Sequence, residues 1–437
     1  MSEMDALTAT ELGSLPSDWR VQRFDSLFAV RQGKQVSKKN RIGENQRPFL
    51  RTKNVFWGRL DLVDLDEMHF TEAEEKRLTL EPGDLLVCEG GDIGRTAIWH
   101  GGLDRCYYQN HLHRARPRDE AGDSHFALYW LWYAFEVGSV YFGRGNVTTI
   151  PNLSQSKLCE LPLPVPPLPE QRKIAGVLGV VQRAIEQQER LLQLTTELKK
   201  TLLHKLFTQG LRGEPQKQTE IGPVPESWNV VELISVVERI DYGISVPIPK
   251  VPPENGVKIV STADITKDGR LLYEKIRRIE APEKTVKRLT LQTGDVLFNW
   301  RNSAELIGKS AVFQEQDEPH VFASFILRIK CGEKKSHNFF LAHLMNYFRE
   351  KEVFLRLARR AVNQANYNRN EISVLKIPLP TYQEQRDIAD AIRAIDIKIH
   401  HHRLKKAKLE DLFRTLLHQL MTAQIRLQKL VFPTCQH

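Results

Sequence analysis

The sequence predicts an α+β protein with a pseudo-twofold internal repeat: two mixed α/β domains separated by two long antiparallel coiled-coil helices. Three observations predict this architecture. Segments of the first half of the chain recur in the second half, strand-like and helix-like segments alternate in the globular parts, and each globular part is followed by a long heptad pattern. The 437 residues, with 41% hydrophobic content, are enough for two or three buried cores.

The repeat is clearest in the helical segments. Thr201–Thr208 (TLLHKLFT) returns as Thr415–Thr422 (TLLHQLMT), an offset of 214 residues (415 − 201). The globular parts match more loosely, and their clearest shared element is a Gly-Asp pair followed by two apolar residues, at Gly83 and Gly294. The repeat therefore has closely similar helices and more divergent globular parts.

Each globular part is predicted to be a mixed α+β domain of roughly 150 residues. The segment 83–87 is typical of a turn that enters a buried strand, and 105–114 and 320–330 have the aromatic and β-branched content of strands. The apolar segments 126–135 and 339–348 are expected to be helices.

The two helical segments carry heptad seams, because their apolar residues recur in alternating steps of four and three. The first seam is Ile174, Leu178, Val181, Ile185, Leu192, Leu202 and Leu206, and the second is Ile388, Ile392, Ile395, Ile399, Leu409, Phe413, Leu416 and Leu420. Polar residues interrupt them, namely Gln188, Thr195 and Lys199 in the first and His402 and Lys406 in the second. About 40 helical residues span ~60 Å, too long for one small domain to cover, so we expect the helices to pack on each other.

Local signals place the ends of these helices. The first is expected to begin near Pro169 and to stop at Gly210, and the second to begin at the capping box Thr381-x-x-Glu384. The predicted segments are a first domain (1–165), a central helix (166–212), a second domain (213–380), a C-terminal helix (381–428) and a tail (429–437). We call the two globular domains head 1 and head 2.

Composition narrows the class of protein. Lys and Arg number 63 against 54 Asp and Glu, a formal charge of +9 that favours a polyanionic partner. The N-terminus has no apolar signal core, and the longest mostly apolar run, 126–135, is shorter than the ~18–20 residues of a membrane span. We therefore expect a cytoplasmic protein with no membrane partner.

The sequence offers no catalytic or metal site. Ile307–Ser310 looks like the end of a P-loop, but Ser303 occupies the position of its first glycine. No Asn/Asp-Pro-Pro-aromatic motif of an amino-methyltransferase and no Pro-Asp dipeptide of a restriction-type nuclease is present. His111-x-His113 and His400–His402 are interpreted as a strand edge and a solvated helix face, not as metal ligands.

Two motifs carry a family resemblance that covers nearly the whole chain. Leu161-Pro-Leu-Pro is followed by Pro169-Glu-Gln-Arg-x-Ile-Ala, and Ile377-Pro-Leu-Pro is followed by Glu384-Gln-Arg-x-Ile-Ala, each at the start of a long helix. The chain thereby resembles the specificity subunit of type I restriction–modification systems. Supporting elements are the Pro-x-x-Trp starts and the Gly-Asp-hydrophobic strands.

The resemblance implies a non-catalytic recognition subunit of a type I restriction endonuclease and adenine DNA methyltransferase complex. Each head would be a target-recognition domain that reads one half of a bipartite double-stranded DNA site. The helices would fix the spacer and bind two methyltransferase (modification) subunits, which in turn carry the restriction/translocase subunits. No cofactor is expected in this chain, and S-adenosylmethionine, ATP and Mg²⁺ are expected in the partner subunits.

Candidate DNA contacts are the basic, amide and hydroxyl side chains of loops, since Lys and Arg bind phosphates while Arg, Asn and Gln read base edges. In head 1 they are Arg51, Lys53, Asn54, Arg95, Arg144, Asn146 and Thr148. In head 2 they are Ser261, Thr262, Arg301, Asn302, Lys309, Asn363, Gln364, Asn366, Asn368 and Arg369.

Three alternatives remain open at this point. One alternative is the specificity component of a related fused restriction–methylation enzyme. A second is a structural coiled-coil scaffold whose heads bind protein. A third is an enzyme with an unfamiliar site, which would show activity on its own. Leu191, Leu194 and Leu198 lie partly off the first seam and form a second apolar stripe suited to another protein's helices. The DNA sequence that is read cannot be deduced from the chain.

Overall fold

The computed structural model describes residues 7–118, 122–141, 152–354, 359–361 and 364–427. The chain divides into two compact units, and the division passes through both long helices. Unit 1 comprises Met1–Glu189 and Leu404–His437, and unit 2 comprises Arg190–Arg403. Each unit thus joins one head to half of each long helix, whereas the segments predicted from the sequence separate heads from helices.

Unit 1 contains short strands with helices between them, and the long helix α5 follows the last strand. Its strands are β1 (Leu7–Thr10), β2 (Gly13–Pro16), β3 (Arg20–Arg23), β4 (Phe28–Gln32), β5 (Gln46–Leu50), β6 (Val55–Phe56), β7 (Arg59–Leu60), β8 (Asp66–His69), β9 (Leu85–Cys88), β10 (Thr96–Ile98), β11 (Tyr107–Tyr108), β12 (Leu112–Pro117) and β13 (Pro162–Val165). Its helices are α1 (Phe24–Leu27), α2 (Glu72–Leu78), α3 (Ser124–Trp132), α4 (Gln155–Glu160) and α5 (Leu168–Gln209), which continues into unit 2.

The centre of head 1 is a four-stranded antiparallel sheet in the order β10-β9-β12-β4. Strand β9 is buried throughout, and its alternate side chains serve opposite faces of the sheet. Leu85 and Val87 pack into the core that contains α3 and the long helices, while Leu86 and Cys88 pack into the core that contains the three-stranded sheet β11-β5-β8. One sheet therefore separates two apolar cores.

The first proline-rich motif is a strand. It forms β13, which runs antiparallel to β3, with Pro164 opposite Val21. A two-stranded ladder tolerates proline because its missing N–H can fall on the unpaired side. The pairing joins the start of head 1 to the segment that leads into α5.

Unit 2 repeats this order. Its strands are β14 (Gln216–Thr219), β15 (Gly222–Pro225), β16 (Asn229–Glu232), β17 (Val237–Tyr242), β18 (Val257–Val260), β19 (Arg277–Ile279), β20 (Val296–Asn299), β21 (Arg301–Asn302), β22 (Ser310–Val312), β23 (His320–Phe322), β24 (Ile326–Cys331), β25 (Arg359–Ala361), β26 (Gln364–Asn366) and β27 (Lys376–Leu379). Its helices are α6 (Glu283–Leu289), α7 (Asn338–Glu350), α8 (Arg369–Ser373) and α9 (Tyr382–Met421), which continues into unit 1.

The sheets of head 2 have the same connectivity as those of head 1. The four-stranded sheet has the order β22-β20-β24-β17, the three-stranded sheet has the order β19-β18-β23, and β27 pairs with β16 as β13 pairs with β3. Head 2 also has the small sheet β21-β26-β25. The internal repeat and the mixed α and β content predicted from the sequence are thereby confirmed.

Two strand predictions were wrong in extent. The segment 105–114 is not one strand but β11 and the start of β12, and 320–330 likewise divides into β23 and β24. The two strands of each pair belong to different sheets, because a tight turn reverses the chain between them. Leu112 N donates to Gln109 O (3.0 Å) and Ile326 N donates to Ala323 O (2.9 Å) in these turns. The apolar helices predicted at 126–135 and 339–348 are present as α3, with a π-helical extension, and α7.

The long helices end near the predicted residues. Helix α5 stops at Gln209, and Gly210 takes a φ of 66°, the left-handed conformation that ends helices at low cost in glycine. At the start of α9, Glu384 N donates to Thr381 Oγ1 (3.3 Å), which is one half of the predicted capping box. The Glu384 carboxylate accepts instead from Leu211 N (3.4 Å).

In unit 1 the two helices run antiparallel. Arg426, just beyond α9, donates to both carboxylate oxygens of Glu170 near the start of α5 (2.7 and 2.9 Å), and Lys406 lies 3.6 Å from Glu189. The head packs on this pair, since Phe413 contacts the ring of Trp132 with centroids 4.8 Å apart. Bidentate pairing with Glu170 raises the pKa of Arg426, and the pair is buried enough to be worth more than a surface salt bridge.

In unit 2 the helices are also antiparallel, and a charged pair lies in the seam. Lys199 Nζ and Asp396 Oδ1 are 2.6 Å apart, with only about a tenth of the lysine side chain exposed. Burial raises the pKa of Asp396, and the charge of Lys199 opposes that shift. Two of the three polar residues that interrupt the first seam, Gln188 and Lys199, are therefore buried, and Thr195 is half-buried. The apolar seam positions Ile174, Leu178, Leu206, Ile388, Ile392, Ile399, Phe413 and Leu420 are buried as predicted.

We predict that Lys199→Met destabilises the protein because it leaves the Asp396 carboxylate in the seam without its cation. Removing one partner of a largely buried pair is expected to cost roughly 2–3 kcal/mol, slightly below the range for full burial. The melting temperature should fall by roughly 4–10 °C in a unit of this size. Lys199→Met with Asp396→Leu should restore most of the loss, and a double variant as unstable as the single one would contradict this role.

Candidate functional site

The candidate contact residues in loops 51–54, 89–95 and 261–264 follow the ends of strands in the two sheets of each head. In head 1 the loop that follows β5 (51–54) lies beside the loop that follows β9 (89–95), and Arg95 joins them by donating from Nη2 to Thr52 O (3.0 Å). In head 2 the loop after β18 and the loop that precedes β22 are joined in the same way. Lys309 Nζ donates to Thr262 O and to Ile265 O, both at 2.6 Å. The loops of each head thus form a connected surface.

Arg51 and Lys53 are paired with acids inside head 1. Arg51 Nη1 lies 2.7 Å from Asp66 Oδ2, and Lys53 Nζ lies 2.8 Å from Asp64 Oδ2 and 3.2 Å from Asp66 Oδ1. Burial alone would raise the pKa of Asp66, but the hydrogen bonds from Arg51 and Lys53 outweigh it and lower that pKa. Both cations stay partly exposed, yet neither brings an uncompensated charge to the surface.

The structure corrects the expectation that Asn54 lies at the surface. Its side chain is buried, its Oδ1 accepts from Arg51 N (3.0 Å), and its Nδ2 donates to Asp61 O (3.1 Å) and Asp64 O (3.0 Å). These hydrogen bonds satisfy an interior amide and fix the loop, and the buried side chain of Asn54 is out of reach of an external ligand.

Lys309 requires the same correction. It is 6% exposed, its ammonium group is bound by two backbone carbonyls, and burial lowers its pKa. Arg95 is less buried than Lys309. It pairs with Asp92 and stacks over Phe56, and its side chain remains partly accessible. Both cations of the equivalent loops therefore hold the framework of their heads.

In the loop after β18, Ser261 is used locally. Its N and Oγ both donate to Asp264 Oδ2 at 2.7 Å, and the carbonyl of Thr262 accepts from Lys309. The turn is therefore held by its own side chains. Ser261 and Thr262 are half-buried and remain at the surface of head 2.

Arg301, Asn302 and Asn366 of head 2 are more accessible to an external ligand than the buried Lys309. Arg301 and Asn302 form β21, which pairs with β26 so that Arg301 lies opposite Asn366. The guanidinium of Arg301 lies 5.1 Å from the ring centroid of Phe325. Asn302 Oδ1 accepts from Ser303 N (2.8 Å). This short sheet gathers basic and amide side chains that are far apart in the sequence.

The adjoining residues Asn368 and Arg369 begin α8. Asn368 caps this helix, with Oδ1 accepting from Glu371 N (2.9 Å), so that its side-chain oxygen has a structural role. Arg369 N donates to the hydroxyl of Tyr242 (2.8 Å), and the side chain of Arg369 is exposed three residues after Asn366 of β26.

Sequence reasoning missed Tyr242 and Phe325. Both aromatic side chains are partly exposed and lie against Trp300, with ring centroids 5.5 and 6.4 Å away. Aromatic residues within strands are usually core, and nothing in their spacing marks these two as exposed. Of the other candidates, Arg144, Asn146, Thr148 and Asn363 lie outside the described residues, and only the backbone of Gln364 is described.

Within the described ranges, no group of three or more His, Cys, Asp or Glu side chains is arranged to hold a metal ion. No helix in the part of the chain that the structure describes is both long and apolar enough to cross a membrane. His113 is buried in β12, with Nε2 2.9 Å from Leu153 O, while His111 is exposed at the strand end.

Comparisons with known proteins agree on one family. The family model described as "Type I restriction modification DNA specificity domain" matches residues 16–196 and 225–411. The type I restriction enzyme MjaVIII specificity subunit of Methanocaldococcus jannaschii is 26% identical over 429 residues, which cover 96% of this chain and 95% of that protein.

Two solved structures share the fold. The type I restriction–modification S subunit of M. genitalium aligns with a TM-score of 0.58 at 16% identity, over 92% of this chain and 96% of that one. A chain from a structure of the assembly of a type I restriction–modification system aligns with a TM-score of 0.55 at 17% identity, over 94% of this chain and 99% of that one.

We predict that Lys309→Met destabilises the protein, because two interior carbonyls lose their donor. A loss of about 2 kcal/mol is expected for such unsatisfied groups, equivalent to roughly 4–8 °C in melting temperature. Lys275→Met, at an exposed position of the same head, is the matched control and should leave the melting temperature within about 1–2 °C. Equal effects of the two substitutions would show that Lys309 is not the internal support described here.

Proposed function

The chain belongs to the family of type I restriction–modification DNA specificity proteins, and from this premise we propose that it is a non-catalytic recognition subunit in which each head reads one half of a bipartite double-stranded DNA site. The observation that supports this most directly is the repeated framework with two different loop surfaces. The two heads have the same sheet connectivity and the same loop-joining cation, Arg95 or Lys309. Their exposed side chains differ.

The surface of head 2 has the chemistry that duplex DNA requires. Arg301, Asn302 and Asn366 come together on a three-stranded sheet, and the exposed guanidinium of Arg369 lies at the same edge. Arginine binds phosphate or guanine, and asparagine pairs with adenine through two hydrogen bonds. The net charge of +9 adds a nonspecific attraction to DNA.

We further propose that the long helices bind two modification subunits. Apolar residues that are 45–60% exposed lie on the helices of both units: Leu194, Leu198 and Ile397 in unit 2, and Val180, Leu404 and Leu412 in unit 1. Apolar side chains grouped on exposed helix faces are typical of protein interfaces. One such face in each unit fits one modification subunit per unit.

In this proposal the chemistry resides in the partner subunits. The modification subunits use S-adenosylmethionine, and the restriction/translocase subunits, bound through them, use ATP and Mg²⁺. The complex works in the cytoplasm, and this chain contributes the choice of DNA sequence.

We predict a steep salt dependence of DNA binding by the complex that contains this chain. Several Lys and Arg contacts to phosphates should lower the affinity for a duplex roughly 100-fold or more between about 50 and 200 mM salt. Fluorescence anisotropy of a labelled duplex measures this. An affinity that does not change with salt would contradict DNA recognition and would favour a scaffold whose heads bind protein.

We also predict that the helices set the distance between the half-sites. The experiment removes seven residues of α5 between Glu189 and Lys199 together with seven of α9 between Asp396 and Lys406, which retains the two ion pairs that flank the deletions. Because the deleted turns include Leu194 of the proposed interface, binding of the modification subunits is checked by co-purification before the motif is mapped. Seven residues are about 10 Å of helix, so the spacer in the methylated motif should shorten by about three base pairs. Removing seven residues from α5 alone is the control and should disrupt assembly, whereas an unaltered spacer in the paired deletion would refute the role.

A further inference from the structure

Three polar side chains meet at the open end of the four-stranded sheet in head 1. Gln32 ends β4, Glu89 directly follows β9, and His111 directly precedes β12. Gln32 Nε2 donates to Glu89 Oε2 (3.2 Å), and His111 Nδ1 lies 3.7 Å from the same oxygen. Gln32 and His111 are exposed, while the carboxylate of Glu89 is set back between them. We call these residues the polar triad.

Three aromatic side chains meet at the corresponding place in head 2. Tyr242 ends β17, Trp300 directly follows β20, and Phe325 directly precedes β24. The indole of Trp300 is held by a hydrogen bond from Nε1 to Ser324 O (2.7 Å), and Tyr242 and Phe325 pack edge-on against it. Tyr242 is 40% exposed and Phe325 is 45% exposed. We call these residues the aromatic triad.

The two triads occupy equivalent positions, as the backbone shows. Glu89 N donates to His111 O (3.0 Å), and Trp300 N donates to Phe325 O (3.2 Å). The carbonyl of Glu89 accepts from Leu153 N, two residues before helix α4, and the carbonyl of Trp300 accepts from Tyr367 N, two residues before helix α8. The strand pairing is equivalent as well. His113 of β12 lies opposite Gln32, the last residue of β4, and Leu327 of β24 lies opposite Tyr242, the last residue of β17.

The chemistry of the side chains is therefore independent of the framework that carries them. The same backbone hydrogen bonds form where the central side chain is the carboxylate of Glu89 in head 1 and the indole of Trp300 in head 2. The fold therefore requires neither the polar triad nor the aromatic triad. Partly exposed aromatic rings are unfavourable in water unless something covers them. The divergence falls beside the loops that contain the candidate contacts Arg95, Arg301 and Asn366.

We propose that the two triads determine which bases each head reads, the polar triad by hydrogen bonds to base edges and the aromatic triad by apolar contact with thymine methyl groups. This rests on the proposed function. A glutamate accepts from the amino group of cytosine, and an aromatic edge contacts the methyl group that only thymine carries in the major groove. Gln32 Nε2 donates to Glu89 Oε2 and to Asn110 O (2.9 Å), so its contribution to a base is its side-chain oxygen, which accepts from an amino group. In the described structure, Gln32 Nε2 and His111 Nδ1 both lie beside Oε2 of Glu89, which leaves Oε1 for an amino group of a base.

The test maps methylated positions by single-molecule sequencing in cells that carry the complete restriction–modification system. Glu89→Gln should change or relax the bases of one half of the motif only, and Phe325→Ala should change the other half only. Each variant is the control for the other. Glu315→Ala, at an exposed position between β22 and β23 of head 2, should change neither half.

The outcomes separate the inference from the proposed function. If the unmodified chain gives no bipartite methylated motif, the proposed function fails. If the motif exists but both variants leave it unaltered, or both alter the same half, the assignment of the triads is overturned. Where Phe325→Ala abolishes methylation altogether, Phe325→Leu keeps the apolar volume and should restore methylation of the original motif; continued loss of methylation in a Phe325→Leu complex that assembles normally counts against the assignment.

A second measurement addresses the thymine methyl directly. In the half-site altered by the Phe325 variant, each thymine is replaced in turn by deoxyuridine, which lacks only the methyl group. The unmodified complex should bind one such duplex roughly fourfold more weakly, the effect expected for one buried methyl group. The Phe325→Ala complex should show no difference at that position. Equal affinity of the unmodified complex for every substituted duplex would overturn the apolar contact.

Discussion

The fold depends on burial of the apolar seams of the two long helices. Within each unit the helices pack on each other, and the head packs on the pair and buries further apolar positions. In unit 1, Phe413 packs below Trp132, and Leu178 lies in the same core. In unit 2, Phe207 packs against Phe340, and Ile388 lies in the same core. Each head therefore completes its core only when both helices are present.

A framework of this kind can be kept while its outer surface changes. The loops at the sheet edge are joined from inside by Arg95 in head 1 and by Lys309 in head 2, and backbone hydrogen bonds fix the residues on either side. Stability comes from these interior contacts and from the two cores on either side of the central sheet. The exposed triads are therefore free to differ, as a protein that reads two unlike half-sites requires.

The helices and the repeat were predictable from the sequence because their signals are local and periodic. The heptad steps placed α5 and α9 to within a few residues, and Gly210 marked a helix end through its backbone requirement. The turns at Gln109 and Ala323 were missed, since no glycine or proline marks them and the strands on both sides are equally apolar. The burial of Lys309 was missed as well, because a lysine bound by carbonyls looks the same in sequence as one bound by a phosphate.

The central claim is that each head independently reads one half of the DNA site, and a chain with two identical heads tests it most directly. In this chain, residues 213–380 are replaced by a second copy of residues 1–165, and both long helices are kept. Mapping of methylated positions in cells with the complete system should then give a symmetric motif, in which one half-site is present twice as an inverted repeat. A motif that keeps two different halves would contradict the account.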